Sequence, residues 1–128
     1  MSIQITEIKK LSDFEQLIKS SEKHFILCDF YADFCGPCKN IEKVLPEIYY
    51  PHNSKFDFIK INIENDEFSD LIDHCNVKKV PTFVAFKSKT EKEFTDTITT
   101  ANVQQLKNFI NTIVPININD DDADDENF

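Results

Sequence analysis

The sequence predicts an α/β fold in which a central mixed sheet of five strands is flanked by four helices. Three observations predict it. Strand-like and helix-like segments alternate in the order βαβαβαββα. Residues 25–31 form a nearly continuous apolar run of the kind found in a central strand covered on both faces. Two late strands with no helix between them pair as an antiparallel hairpin, which makes the sheet mixed. At 128 residues, with 41% hydrophobic and 12% aromatic content, the chain has the size of one domain and can bury about two-thirds of its unfolded surface.

The first strand is expected over residues 3–8. Ser12-Asp13-Phe14-Glu15 then reads as a capping box that opens a helix with Phe14, Leu17 and Ile18 on one face. The apolar strand 25–31 follows, with Asp29 its one discordant residue. From Cys35 to about Tyr50 the spacing of Ile41, Val44, Leu45, Ile48 and Tyr49 predicts a helix kinked at Pro46. A third strand occupies residues 56–63. Phe68, Leu71, Ile72 and Cys75 mark a short helix capped by Asn65 or Asp66. Pro81 heads the strand 82–86, a place where a missing N–H is tolerated, and a weaker strand at 94–98 is its antiparallel neighbour. The last helix starts near Asn102 and buries Val103, Leu106, Ile110, Ile113 and Val114.

The domain is expected to span residues 1–114. After Pro115 comes a low-complexity tail, residues 115–128, which carries six acids and no Lys. Such a composition cannot offset its ordering entropy, so the tail is expected to be disordered. All 14 basic residues are Lys, against 23 acids and a net charge of −9. Residues 1–114 hold 17 of the acids, a balance of −3. This charge disfavours a nucleic-acid partner. No apolar stretch approaches the roughly 20 residues of a membrane span, and residues 1–7 lack the basic flank and apolar run of a secretion signal. A cytoplasmic protein whose four cysteines are kept reduced is the expectation.

Cys35-Gly36-Pro37-Cys38 lies where the buried strand ends and an amphipathic helix begins. Unpaired N–H groups at a helix N-terminus stabilise a thiolate, and such sites lower a cysteine pKa from about 8.5 to about 3.5–7.5. Cys35 is therefore the nucleophile. Cys38, one turn on and more shielded, is placed to resolve a mixed disulfide on Cys35. Pro37 loses no hydrogen bond in a first turn, and Gly36 lets another chain approach closely. A zinc site would need a second CxxC or a Cys-His cluster at ligand spacing, and adjacent His74 and Cys75 do not supply one, so no metal is expected. Cys28 and Cys75 fit the core, and His24, His52 and His74 show no triad or ligand spacing.

Residues 30–39, Phe-Tyr-Ala-Asp-Phe-Cys-Gly-Pro-Cys-Lys, and Val80-Pro81-Thr82-Phe83 resemble, in order, spacing and secondary-structure context, the two signatures of the thioredoxin family. The resemblance covers residues 1–114. It implies a thioredoxin fold, a reducing Gly-Pro active site without a bound cofactor, and a cis Val80-Pro81 bond beside the dithiol whose backbone is turned toward a substrate strand. It also implies that Asp29 is a buried carboxylate beneath Cys38. Burial would raise its pKa and suit it to accept the Cys38 proton, with Lys60 as the partner that moderates the burial. Were Asp29 at a strand edge with its carboxylate in water, that role would lapse.

Several positions depart from the family pattern. Phe34 and Tyr31 stand where the family usually has Trp, and Thr99 or Thr100 stands where a Gly borders the substrate groove. The helix proline is displaced to Pro46.

The resulting expectation is a protein disulfide reductase and thiol–disulfide oxidoreductase. Cys35, Cys38, Asp29 and Lys60 would carry the chemistry, and Phe34, Gly36, Pro37, Val80 and Pro81 would meet protein disulfide substrates. Electrons would come from NADPH through a separate reductase. The rival reading is a binding module of the same fold that docks a partner through its groove or acidic tail. An intact dithiol discriminates, since an adaptor needs neither thiol.

Overall fold

The computed structural model describes residues 5–114; the acidic tail and the first four residues lie outside the described part. Five strands form one sheet: β1 (Thr6–Glu7), β2 (Phe25–Tyr31), β3 (Phe56–Asn62), β4 (Thr82–Lys87) and β5 (Phe94–Thr99), in the order β1-β3-β2-β4-β5. β1 and β2 run parallel to β3, whereas β4 runs antiparallel to both β2 and β5. The mixed sheet is as the sequence predicts. Its central strand, β2, is buried on both faces except at Tyr31.

Five α-helices, not the four expected, pack on the sheet: α1 (Leu11–Ser20), α2 (Gly36–Glu42), α3 (Leu45–Tyr49), α4 (Ser69–His74) and α5 (Val103–Ile113). The extra helix arises because the segment after Cys35 breaks instead of kinking. Pro46 has no N–H, and its ring would meet the carbonyl of the residue four positions earlier, Glu42, which is where α2 ends. Pro46 then occupies the first turn of α3, where its missing donor costs nothing.

The two sheet faces bury separate clusters. Under α1 and α4, Phe14, Ile18, Phe68, Leu71 and Cys75 meet Ile26, Cys28, Phe30 and Ile61. Under α2, α3 and α5, Ile41, Leu45, Ile48, Leu106 and Ile110 meet Phe25, Leu27, Phe58 and Phe83. Strand alternation puts Asp29 in the row of Phe25 and Leu27, on the face that α2 covers.

Other departures from the expected pattern are local. Among the described residues β1 pairs only at Thr6 and Glu7, and residues 3 and 4 of the expected strand lie outside them. α1 opens at Leu11 without a side-chain cap from its N-cap Lys10; the Leu11 N–H donates instead to Glu67 Oε1 at 2.8 Å. Asn65 caps a 3-10 turn, Asp66–Phe68, that leads into α4. Asn102 caps α5 through the Gln105 N–H at 2.8 Å, but Val103, expected on the buried face, is exposed and does not join the cluster of Leu106 and Ile110.

Candidate active site

β2 delivers the chain to the site, and the Ile63 N–H donates to the Tyr31 carbonyl at 2.8 Å, closing the sheet at its upper edge. The segment 32–35 then turns. The Cys35 N–H donates to the Ala32 carbonyl and the Asp33 N–H to Glu64 Oε1. Cys35 becomes the N-cap of α2 in an extended conformation, with Gly36 and Pro37 in the first turn. Cys35 and Cys38 form a disulfide whose Cα atoms are 5.2 Å apart.

Cys35 Sγ accepts the Cys38 N–H at 3.0 Å. Once the pair is reduced, that donor would stabilise a thiolate on Cys35. Ala32, Cys35 and Cys38 are buried together against Tyr31, Ile63 and Val80. Phe34 beside them is 76% exposed. A Cβ built on Gly36 would meet nothing within 4 Å, so this flank of the dithiol is open.

The opposite wall is the loop before β4. Val80-Pro81 is a cis peptide, and the Val80 carbonyl oxygen lies 3.8 Å from Cys35 Sγ. The Thr82 hydroxyl donates to the Lys79 carbonyl at 2.6 Å and accepts from Thr99 Oγ1 at 2.7 Å, fixing the loop from below. Of the two threonines considered for the groove rim, Thr100 is the one joined to Pro81, because its N–H donates to the Pro81 carbonyl at 3.2 Å. Its hydroxyl turns toward α5, donating to Gln105 Oε1 and accepting the Asn102 N–H.

Asp29 is 2% exposed, and its Oδ1 has no hydrogen-bond partner. Burial, with the nearby Glu42 charge adding to it and Lys60 opposing, raises its pKa to about 7. Lys60 thus moderates the burial of Asp29 through its charge. Lys60 is the register partner of Asp29 across β2 and β3, yet its ammonium pairs with Glu42 on α2. Glu42 was not singled out in the sequence. Its signal was its position four residues after Cys38, one helical turn along the same helix face.

Cys28 and Cys75 are free, buried thiols. Burial holds the Cys28 pKa well above its ordinary value and pushes that of Cys75 up to about 12. His74 Nε2 bonds the Lys92 carbonyl. Among the described residues, no three His, Cys, Asp or Glu side chains gather at metal-binding positions, and no helix is long and apolar enough to cross a membrane.

A five-stranded mixed sheet carrying a CxxC disulfide at a helix start, opposite a cis-proline loop, defines a thiol–disulfide oxidoreductase of the thioredoxin-fold class. The thioredoxin family profile matches residues 5–112. Thioredoxin of Gallus gallus is 33% identical over 112 residues, covering 86% of this chain and 99% of its own length. Among solved structures, the germline-specific thioredoxin Deadhead of Drosophila melanogaster superposes with a TM-score of 0.74 at 26% identity, covering 86% of this chain and 100% of that one. Oxidised thioredoxin from Plasmodium falciparum gives 0.72 at 28% identity, with 88% and 100% covered. The chain belongs to the thioredoxin family, and its activity is the reduction of protein disulfides by dithiol exchange. Members of this family work without a prosthetic group.

Proposed function

We propose that the chain is a cytoplasmic disulfide reductase drawing electrons from NADPH through a separate flavin-containing reductase, and that its residues divide the reaction as follows. The Cys35 thiolate attacks one sulfur of a substrate disulfide, forming a mixed disulfide and releasing the other substrate sulfur as a thiolate. Cys38 gives its proton to Asp29 and attacks Cys35 Sγ. The Cys35–Cys38 bond forms, the bond from Cys35 to substrate breaks, and the second substrate sulfur leaves to be protonated. Phe34, Gly36 and Pro37 form one bank of the docking groove and the Val80-Pro81 backbone the other.

The observation that carries this reading is the Cys38 N–H donated to Cys35 Sγ, beside the Val80 carbonyl. Of the two thiols, it is Cys35 that has a donor aimed at its sulfur, and substrate backbone can reach that sulfur along the open flank at Gly36. Each turnover leaves the Cys35–Cys38 pair oxidised, so the cycle needs a two-electron donor that restores the dithiol, the role given to the reductase.

Insulin reduction followed by turbidity tests the reading. Supplied with NADPH and a thioredoxin reductase, catalytic amounts of the chain should precipitate the insulin B chain and consume NADPH in step. Turbidity with dithiothreitol but none with NADPH and reductase would refute the proposed electron source. No turbidity with either would leave a docking module.

A further inference from the structure

Within the described part, Asp29 is a buried ionisable group with an unpartnered oxygen, and it stands beside a cation that is engaged elsewhere. Asp29 and Lys60 are neighbours in the parallel register of β2 and β3, so their side chains share a sheet face at about the 4.8 Å strand spacing. The simplest arrangement would be an ion pair between them. Instead the Lys60 ammonium pairs with Glu42 Oε2 at the last residue of α2, with Nζ 5.3 Å from the Tyr31 ring centroid. Two carboxylates therefore compete for one ammonium, and the half-exposed one holds it.

We propose that Glu42 is a positioning residue for substrate release: by holding Lys60 at the end of α2, it denies Asp29 an ion partner and keeps the buried carboxyl able to take and return the Cys38 proton near neutral pH. This rests on the reading of Asp29 as proton acceptor. An ammonium delivered to Asp29 would hold the carboxylate ionised, lowering its pKa by about 1–3 units and weakening it as a base. Glu42 also acts directly, because its own negative charge disfavours ionisation of Asp29. Of the other groups around Asp29, β2 itself contributes Cys28 and Tyr31, β4 contributes its register partner Phe83, and α5 contributes the apolar Leu106 and Ile110 to the same layer. Glu42 comes from α2 and Lys60 from β3.

Release is the step at stake. As Cys38 attacks the Cys35 sulfur, its proton moves to the Asp29 carboxylate, the Cys35–Cys38 bond forms, and the substrate thiolate departs. When the pair is next reduced, the proton returns to Cys38. A carboxyl locked into an ion pair would be a poor acceptor for it.

The test titrates the Asp29 Cγ resonance in the reduced full chain by carbon-detected NMR, alongside the pH profile of single-turnover reduction of a protein disulfide. Glu42→Gln should lower the Asp29 midpoint by about one unit or more, and the acid limb of the rate profile should move with it. In a Lys60→Gln background the same Glu42→Gln change should shift the midpoint by less than half as much, since no ammonium remains to relocate. An unmoved midpoint in Glu42→Gln, or an equal shift with and without Lys60, overturns the proposal. Asp29→Asn separates the two failures. If it leaves the rate profile unchanged, the proton-acceptor reading falls and Glu42's role in release falls with it. If it slows release while Glu42→Gln moves nothing, the proposal alone is wrong.

Discussion

Thr100 gives its backbone N–H to the Pro81 carbonyl at 3.2 Å, tying the start of the α5 connection to the loop that faces the dithiol. Its hydroxyl bonds Gln105 and Asn102, so this side chain braces α5, and because the family pattern has a Gly at the groove rim, its Cβ is expected to narrow that rim. Thr100→Gly should remove both functions. Two hydrogen bonds at about 1 kcal/mol each, and a further 0.5–1 kcal/mol or so from glycine's backbone freedom, predict a loss of about 2–3 kcal/mol in urea unfolding. The wider rim should also admit bulkier substrates, raising the relative rate on a folded protein disulfide over a short peptide disulfide. Unchanged relative rates would show that Thr100 acts on stability alone.

Gly36 presents the reverse case, since a Cβ there meets nothing within 4 Å in the free protein. Gly36→Ala should leave stability unchanged or raise it by up to about 1 kcal/mol, because Ala is the better helix former. Any penalty should appear only when a second chain lies across the flank. The rate on insulin is expected to fall several-fold more than the rate on a small aromatic disulfide. Equal losses on both would mean that the methyl disturbs the dithiol and not the docking surface.

The two cysteines outside the motif should be silent. Cys28 and Cys75 are buried, and burial keeps both as thiols, Cys75 with a pKa pushed up to about 12. Iodoacetamide added to the reduced native chain at pH 8 is therefore expected to label Cys35 first and to leave Cys28 and Cys75 unlabelled until denaturant is present. Native-state labelling of Cys75 would show that its thiol is reachable in the folded chain and not confined to the core.

What the sequence made legible follows from the range of the interactions involved. The apolar run of β2, the Asn102 cap and the CxxC at a strand-to-helix junction are local patterns, and each reappears in the structure. The start of α1 was misread because Leu11 is satisfied by Glu67, 56 residues away, a tertiary cap that no window around Ser12 contains. The spacing predicts one helix kinked at Pro46, although proline acts on the turn preceding it and α2 ends outright at Glu42. Lys60 was correctly placed beside Asp29, but the competitor for its charge lies 18 residues earlier on another layer of the fold. Pairing between β2 and β3 was legible; which carboxylate wins the ammonium was not.

Asp29 should leave a signature in stability against pH. Below about pH 4 its carboxyl is neutral in folded and unfolded chains alike and contributes no pH dependence. Between about 4 and about 7 the unfolded chain ionises while the folded one stays protonated, so this residue makes stability fall as pH rises, levelling off above about 7. At about 1.4 kcal/mol per unit, the full difference approaches about 4 kcal/mol. Asp29→Asn is expected to abolish that slope and to match wild type near pH 4 while exceeding it at pH 8, as read by urea titrations at both values. It should also slow release of the mixed disulfide. A parallel loss of stability at both pH values would mean that the carboxyl is needed for packing.

The most discriminating prediction concerns Cys35 and Cys38, because dithiol exchange gives the two thiols opposite mutant signatures. Cys35 carries the sulfur that accepts the Cys38 N–H, and it lies 3.8 Å from the Val80 carbonyl. Cys38 is 3% exposed, one turn behind it. Cys35→Ser should abolish attack. Cys38→Ser should still attack and then stall as a covalent mixed disulfide, since no other described thiol is exposed: Cys28 and Cys75 are buried in the cluster on the opposite face of the sheet from α2. The stalled species should appear on non-reducing gels as a mass increase equal to the substrate and collapse with dithiothreitol. Trapping that is no greater in Cys38→Ser than in Cys35→Ser, or disulfide reduction retained by both variants, would remove the exchange mechanism from this site.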